Sequence, residues 1–224
     1  MKNQVTRGDA TREVLILAAL QSFARKGFSS VSTRELAEVS GVNQALIGYH
    51  FGGKEGLYLA VFEHISARVK EQVGPEIERV RRLLEQADAA TGTGAAAEGR
   101  EIYLPALLAL VERLLSLLLN PETEPWAQLI VREQAQPTAA FDLLYDGFIA
   151  VLLGLLTQLV RRLRADEDEQ SARLLVMGIV GQVIVWRMAH TGALRQLDWA
   201  ALDEAKIAAI KQSVRRNVTA QLLA

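Results

Sequence analysis

Apolar residues recur along most of the chain at spacings of three and four, the pattern of amphipathic helices. No segment alternates apolar and polar residues for long enough to predict a β-strand. After a first helix that ends near Gly27, the pattern predicts helices over about residues 33–40, 43–49, 54–73, 76–89, 100–119, 126–134, 138–164, 169–191 and 203–222. With only five prolines in 224 residues, this indicates an all-α protein.

Short polar or flexible segments separate these helices. Gly74 and Pro75 are expected to end the helix that begins at Lys54, and the proline then opens the next helix. Residues 91–99 are small and flexible and predict a surface loop. Residues 120–123 predict a break, and residues 165–168 an acidic turn.

Two strongly apolar stretches, Phe148–Val160 and Leu174–Trp186, stand out in the C-terminal half. Each is about 13 residues long, which is short of the ~20 residues needed to cross a bilayer, so we predict buried helices and no membrane span. Their apolar positions go nearly around each helix, and such helices must be covered on several sides. One cover is the chain's own core, and the other is expected to be a second subunit. Gly154, Gly178 and Gly181 either allow close helix approach there or are ordinary packing residues.

Residues 31–55 have the pattern of two short helices joined by a glycine turn. Ser32 can cap the first helix, and Glu35, three residues later, can return the bond. Leu36, Ala37 and Val39 form its predicted buried side, and Gly41 ends it because glycine readily adopts positive φ.

The second short helix, about Asn43–Tyr49, is almost free of charge. Its inward positions are Val42, Leu46, Ile47 and Phe51. Its outward positions are Asn43, Gln44, Ala45, Gly48, Tyr49 and His50. A pair of helices with a polar outer face of this kind is typical of a helix-turn-helix that reads DNA.

The outward residues predict a division of roles on a DNA duplex. Asn43 and Gln44 carry amides that can bond base edges, while Ala45 and Gly48 allow close approach. Thr33, Arg34, Tyr49, His50 and Lys54 are candidates for phosphate contacts. The alternatives are a cap alone for Ser32 and Glu35, a core position for Tyr49, a structural role for His50 and simple solvation for Arg34.

Residues 10–65 resemble the DNA-binding domain of the TetR family of bacterial transcriptional repressors. The matching pieces, in order, are Phe-Ala-Arg-Lys-Gly-Phe, Ser-Thr-Arg-Glu-Leu-Ala, Ser-Gly-Val, and Tyr-His-Phe followed two residues later by Lys-Glu. The resemblance implies a DNA-binding domain over residues 1–55 and a helical regulatory and dimerisation domain over residues 56–224. It further implies that the helix from Lys54 transmits ligand binding and that the last two long helices form a dimer. Two readers one duplex turn apart would bind an inverted-repeat operator.

Residues 129–141 contain Arg132-Glu133-Gln134 and then Pro137-Thr138, and they resemble the CecR-like branch of these regulators. The resemblance implies a response to a small molecule, of toxic or xenobiotic type, and transport genes among the targets. The candidate ligand-binding residues are Tyr103, Trp126, Arg132, Glu133, Phe141, Tyr145, Trp186, Arg187 and His190. The alternative is structural: Arg132 and Glu133 as an ion pair or cap, the aromatic residues as core, and His190 as a helix cap before Gly192.

Composition limits the function classes. The net charge is −1, but residues 1–56 carry seven basic and five acidic residues, a local excess that fits a specific duplex binder. There is no cysteine, the three histidines lack metal-ligand spacing, and no phosphate loop or nucleophile motif is present, so we expect neither an enzyme nor a cofactor. The N-terminus lacks the apolar region of a signal peptide, which predicts a cytoplasmic protein. A transcriptional activator or a helical interaction module remains an alternative.

Overall fold

A computed structural model describes residues 7–89 and 95–223, and these residues form helices without a strand. The helices are α1 (Arg7–Lys26), α2 (Thr33–Ser40), α3 (Ala45–Phe51), α4 (Lys54–Ala89), α5 (Ala95–Leu119), α6 (Glu124–Ala135), α7 (Ala139–Leu144), α8 (Ala150–Leu163), α9 (Glu169–Met188), α10 (His190–Gln196) and α11 (Glu204–Leu223). A 3₁₀ turn at Pro121–Thr123 precedes α6, and a π-helical turn at Tyr145–Ile149 joins α7 to α8. The prediction of an all-α protein is confirmed.

The chain divides into two compact units. The first comprises residues 1–69 and 124–148, as far as they are described. In it α1 packs against both α2 and α6. Phe23, Leu57, Phe62 and Leu129 are fully buried at the centre, and Tyr58 packs its ring against Phe23 and Phe62. Helices α6 and α7 therefore belong to the same compact unit as the N-terminal helices. The division after residue 55 into a DNA-binding and a regulatory domain stays a prediction.

The second unit comprises residues 70–123 and 149–224, as far as they are described. Helices α5, α8 and α9 pack against one another, and α11 covers α5 and α9. Leu107, Leu156, Ile179 and Val218 are fully buried in its core. The apolar residues that surround α8 are thus largely covered within the unit's own core.

Helix α4 runs without interruption from Lys54 to Ala89, so the predicted end at Gly74 and Pro75 is wrong. An interior proline removes one helix hydrogen bond and costs about 3 kcal/mol. The apolar face continues past it, since Val73, Ile77, Val80 and Leu84 are all buried. Burial of that face outweighs the local penalty, because most helical stability comes from packing.

Other boundaries also moved. Residues 95–99 are helical, which corrects part of the predicted loop, and residues 91–94 of that loop lie outside the described residues. The predicted helix 138–164 is divided by the π-helical turn, and the predicted helix 169–191 ends at Met188. A separate helix, α10, follows it.

Helix α9 is much more exposed than its composition suggests. Leu174, Met177, Ile184, Val185 and Met188 expose between 42% and 66% of their surface. Among the described residues, the segments Gly99–Leu119, Ala139–Leu163 and Glu169–Met188 are long and apolar enough to cross a membrane by length and composition alone. The predicted length of about 13 residues is therefore wrong for α9, whose apolar helix is 20 residues long. One face of α9 is uncovered in the described chain, and its cover by a second subunit stays a prediction.

Candidate nucleic-acid interface

Helix α2 begins and ends as its sequence predicts. The Oγ of Ser32 accepts a hydrogen bond from the backbone N–H of Glu35 at 3.1 Å, and Gly41 ends the helix with φ of 66°. The carboxylate of Glu35 accepts from the Lys26 ammonium at 2.7 Å and does not return to Ser32. The cap is therefore one-sided, and Glu35 ties α2 to the end of α1.

The buried side of α2 is narrower than predicted. Leu36 and Ala37 are buried, but Val39 is 56% exposed, so its predicted core position is wrong. Two residues correspond to about 200° of rotation around a helix, which points Val39 away from Ala37. Ser40 faces the half-buried side, where its hydroxyl donates to the Leu36 carbonyl oxygen at 2.7 Å.

Helix α3 presents the predicted polar face. Ile47 is buried, and Leu46 and Phe51 are half-buried, whereas Asn43, Gln44, Ala45, Gly48 and Tyr49 are exposed. Tyr49 is 81% exposed, which excludes the alternative that it is a core aromatic residue of the described chain. A Cβ placed on Gly48 would meet nothing within 4 Å, so this face is open to a close-fitting partner.

The entry to α3 is built by side chains. The Oδ1 of Asn43 accepts from the backbone N–H of Ala45 at 2.9 Å, and the helix begins at Ala45, two residues later than predicted. The Gln44 amide Nε2 donates to the Thr33 Oγ1 at 2.9 Å. Thr33, Gln44, Ala45 and Gly48 line a shallow depression of about 430 Å³. The Gln44 amide is thus oriented while its oxygen and second N–H remain available.

The remaining candidates for DNA contact surround α3. Arg34 pairs with the exposed Glu38 carboxylate at 3.0 Å, an exposed i,i+4 pair that contributes little stability. The Lys54 ammonium lies 4.3 Å from the centroid of the Phe28 ring. The half-buried His50 packs edge-on against Tyr49, with ring centroids 5.0 Å apart. All eight predicted DNA-contact residues therefore belong to α2, α3, the turn between them or the start of α4, within the first unit.

The predicted ligand-binding residues are divided between the two units. Trp126, Arg132, Glu133, Phe141 and Tyr145 belong to the first unit, and Tyr103, Trp186, Arg187 and His190 belong to the second. Their contacts within each unit define what each residue does.

Glu133 is a buried structural centre of the first unit. Its Oε1 accepts from the Tyr58 hydroxyl at 2.8 Å, and its Oε2 accepts from both the backbone N–H and the hydroxyl of Thr138 at 2.9 Å. Burial, and then the bond to the Glu133 carboxylate, raise the pKa of Tyr58 above its usual range, so this phenol stays protonated. The carboxylate connects α4, α6 and the N-cap of α7.

Arg132 joins α6 to the end of α1. Its Nη2 donates to the Ala24 carbonyl oxygen at 3.3 Å. A Cβ placed on Gly27, where φ is +80°, would lie 2.8 Å from the Arg132 Nη1. The guanidinium therefore sits at the C-terminal end of α1, where carbonyl groups lack helical partners and positive charge is favoured. The alternative of a cap near Pro137 is supported for Glu133, which binds the N-cap residue Thr138. The Arg132 guanidinium lies at the end of α1 instead, and the two side chains do not form the alternative ion pair.

The other candidates have local contacts. Phe141 and Tyr145 stack with centroids 5.9 Å apart, and Trp126 is half-buried. In the second unit the buried Tyr103 accepts from Arg162 at 3.4 Å, and Arg187 donates to the Asn120 carbonyl oxygen at 2.6 Å. His190 and the half-buried Trp186 lie at the α9–α10 junction. Gly192 lies inside α10, so His190 is not the helix cap that was considered.

Sequence reasoning missed three residues of the first unit. These residues are Tyr58, Thr138 and Gly27, whose contacts with Glu133 and Arg132 the sequence does not predict. Thr138 follows a proline and precedes an apolar helix, which is a usual N-cap signal. Neither the Tyr58 bond to Glu133 nor the Gly27 contact with Arg132 has a local signal, because each joins residues more than 70 positions apart.

The geometry defines a class: an all-helical regulator with a helix-turn-helix whose polar face is exposed. Residues 15–61 match the family described as bacterial regulatory proteins, TetR family, and residues 105–224 match the C-terminal domain of the HTH-type transcriptional dual regulator CecR. The chain is 32% identical over 213 residues to CecR of Shigella flexneri, covering 95% of this chain and 91% of the relative. The chain therefore belongs to the TetR family of bacterial transcriptional regulators, with a CecR-type C-terminal domain.

Other similarities are shorter in length or lower in sequence identity. The HTH-type transcriptional repressor NicS of Pseudomonas putida is 34% identical over 61 residues, covering 27% of this chain and 29% of the relative. A transcriptional regulator from Pseudomonas aeruginosa PAO1 has a TM-score of 0.63 at 20% identity, with 97% of each chain covered. FadR of Bacillus subtilis, solved with stearoyl-CoA, has a TM-score of 0.61 at 16% identity, with 93% of this chain and 98% of that chain covered. At these identities the structures show a shared fold.

Proposed function

We propose that this regulator is a homodimeric repressor that binds an inverted-repeat DNA operator in the cytoplasm and is released by a small-molecule effector. The observation that carries the proposal is the exposed face of α3, with the Gln44 amide held by Thr33. The amide can bond a base edge in the major groove, while Thr33, Tyr49 and Lys54 are placed to contact phosphates. Family membership supports DNA binding by this face.

The homodimer rests on the uncovered face of α9. Leu174, Met177, Ile184, Val185 and Met188 recur at helical spacing, and all are substantially exposed. On soluble proteins, a contiguous exposed apolar surface commonly marks an interaction site. A second copy that presents the same face would cover it symmetrically.

We propose that DNA binding represses transcription, and activation is the alternative. NicS is described as a repressor, whereas CecR is described as a dual regulator. DNA binding places the protein on a promoter, and the operator position then decides the sign. A helical interaction module without DNA binding is the remaining alternative, and it offers no reason for an open, uncharged α3 face.

Duplex-binding measurements with matched variants test the proposal. We expect Gln44→Ala to weaken specific binding at least 10-fold, because each of the two subunits loses a base contact worth roughly 1–3 kcal/mol. We expect Lys54→Met, which keeps an aliphatic chain on Phe28, to lower the slope of log affinity against log salt by about two, one for each subunit. Gln128→Ala, at an exposed position on α6, is the matched control and should bind as the wild type does. Salt-independent binding, or full affinity in Gln44→Ala, would contradict the proposed interface.

A further inference from the structure

A cleft of about 860 Å³ lies within the first unit, beside the helix-turn-helix. Its walls come from three segments: the turn after α1 at Lys26–Ser30, the start of α4, and the end of α6 through the start of α7. We name it the support cleft. Its volume falls in the range of pockets that hold small organic ligands.

One side of the support cleft is polar but already satisfied. The buried Glu133 carboxylate accepts three hydrogen bonds, two from Thr138 and one from Tyr58. Lys26 also lines the cleft, but its ammonium is paired with Glu35 at 2.7 Å. These groups fix the shape of the cleft, and they already have partners, so they do not require a ligand.

Arg132 differs from these groups. Its guanidinium lines the cleft and makes a single hydrogen bond, to the Ala24 carbonyl oxygen at 3.3 Å. No carboxylate of the described residues lies within salt-bridge distance of it. A guanidinium has five N–H donors in a planar fork that fits a carboxylate bidentately. Arg132 is exposed, so the donors that do not bind Ala24 face solvent and are open to a carboxylate.

The rest of the lining indicates the size and charge of the ligand. Phe28, Leu59 and Pro137 supply apolar surface that is half-buried or exposed and that a ligand would cover. The exposed Glu55 carboxylate also lines the cleft and disfavours a ligand with several negative charges. One available cation, one opposing carboxylate and an apolar wall together fit a monoanion with an apolar body.

We propose that the support cleft binds a small organic monocarboxylate, whose carboxylate pairs with Arg132 and whose apolar body lies against Phe28, Leu59 and Pro137. The support cleft is a candidate for the effector site, and its role in regulation rests on the effector response proposed above. A ligand there would contact the turn that joins α1 to α2 and would compete for the guanidinium that binds the end of α1. The helix-turn-helix is therefore within direct reach of the bound acid.

Calorimetric titration of the full chain without DNA tests the site, using benzoate and octanoate as probes and benzyl alcohol as the neutral comparison. We expect saturable binding of at least one acid and none of the alcohol. Arg132→Gln removes the charge and the planar fork and keeps a polar side chain, and it should weaken binding at least 10-fold. Gln136→Trp narrows the cleft from an exposed position and should weaken binding as well. Arg173→Gln, on the exposed side of α9, is the matched control and should bind as the wild type does.

Absence of saturable binding by either acid overturns the site, as does unchanged affinity in Arg132→Gln. If Arg132→Gln does not fold, unchanged affinity in Gln136→Trp overturns it instead. Because these titrations contain no DNA, their failure leaves operator binding intact as a separate question. Conversely, loss of operator binding by the wild-type protein would contradict the proposed function while leaving the acid site standing.

Discussion

Replacing Glu133 with alanine is expected to lower the free energy of unfolding of the first unit by about 3–5 kcal/mol. The substitution leaves the buried Tyr58 hydroxyl without its acceptor and removes the two hydrogen bonds that the exposed Thr138 donates to the carboxylate. The unsatisfied Tyr58 donor costs roughly 1–3 kcal/mol, and the two lost bonds from Thr138 to a charged acceptor add the rest, although water can hydrate these donors in part. Glu133→Gln keeps one acceptor oxygen and should lose about half as much.

Urea unfolding measures the stability of the first compact unit if the fluorescence signal comes from Trp126 alone. Of the three tryptophans, Trp126 belongs to the first unit, and Trp186 and Trp199 belong to the second, so both of the latter are changed to phenylalanine in every sample. Gln134→Ala, next to Glu133 but exposed, is the control and should stay within about 0.5 kcal/mol of the background protein. A loss below about 1 kcal/mol in Glu133→Ala would show that Glu133 does not hold this unit together.

Met177→Glu is expected to convert the proposed dimer to a monomer and to weaken operator binding at least 100-fold. Met177 is 56% exposed on the uncovered α9 face, so the glutamate is solvated in the free chain and leaves its fold intact. In a symmetric dimer the substitution places two negative charges in a desolvated apolar contact, which is strongly unfavourable. A single helix-turn-helix then loses the contacts of the second half-site.

Sedimentation velocity and duplex binding on the same samples test this prediction. Glu78→Arg, an exposed charge change on α4, is the control and should remain dimeric. Unchanged circular dichroism in Met177→Glu shows that the chain still folds. A Met177→Glu protein that remains a dimer with full operator affinity would place the interface elsewhere.

Local chemistry explains which parts of the fold were predictable. The Ser32 cap and the Gly41 end of α2 follow from the intrinsic preferences of these residues, and both are confirmed. The predicted end of α4 at Gly74 and Pro75 was wrong because these residues are local signals for a helix end. The helix continues because residues beyond them are buried by tertiary packing, which local sequence does not show. The sequence also could not predict which side chains of α9, such as Leu174 and Met177, are exposed, because composition shows how apolar a helix is and not what covers it.

The candidate site divides in the same way. Helical periodicity predicted which residues of α3 face outward, because this depends only on the 3.6-residue repeat. The bond from Gln44 to Thr33 depends on how α3 crosses α2, which the sequence does not specify. For Arg132 and Glu133 the sequence indicated that charged groups in an apolar run need partners, but it could not identify Ala24, Tyr58 and Thr138 as those partners.

Selection of binding sites from random duplexes with the purified protein tests the central claim most directly. The account predicts enrichment of an inverted repeat whose half-sites are about one duplex turn apart, ~34–36 Å centre to centre. It also predicts that Gln44→Ala relaxes the preference at one position in each half-site and leaves the spacing unchanged. Recovery of no enriched sequence, or of a single unpaired half-site, would contradict a dimeric DNA reader.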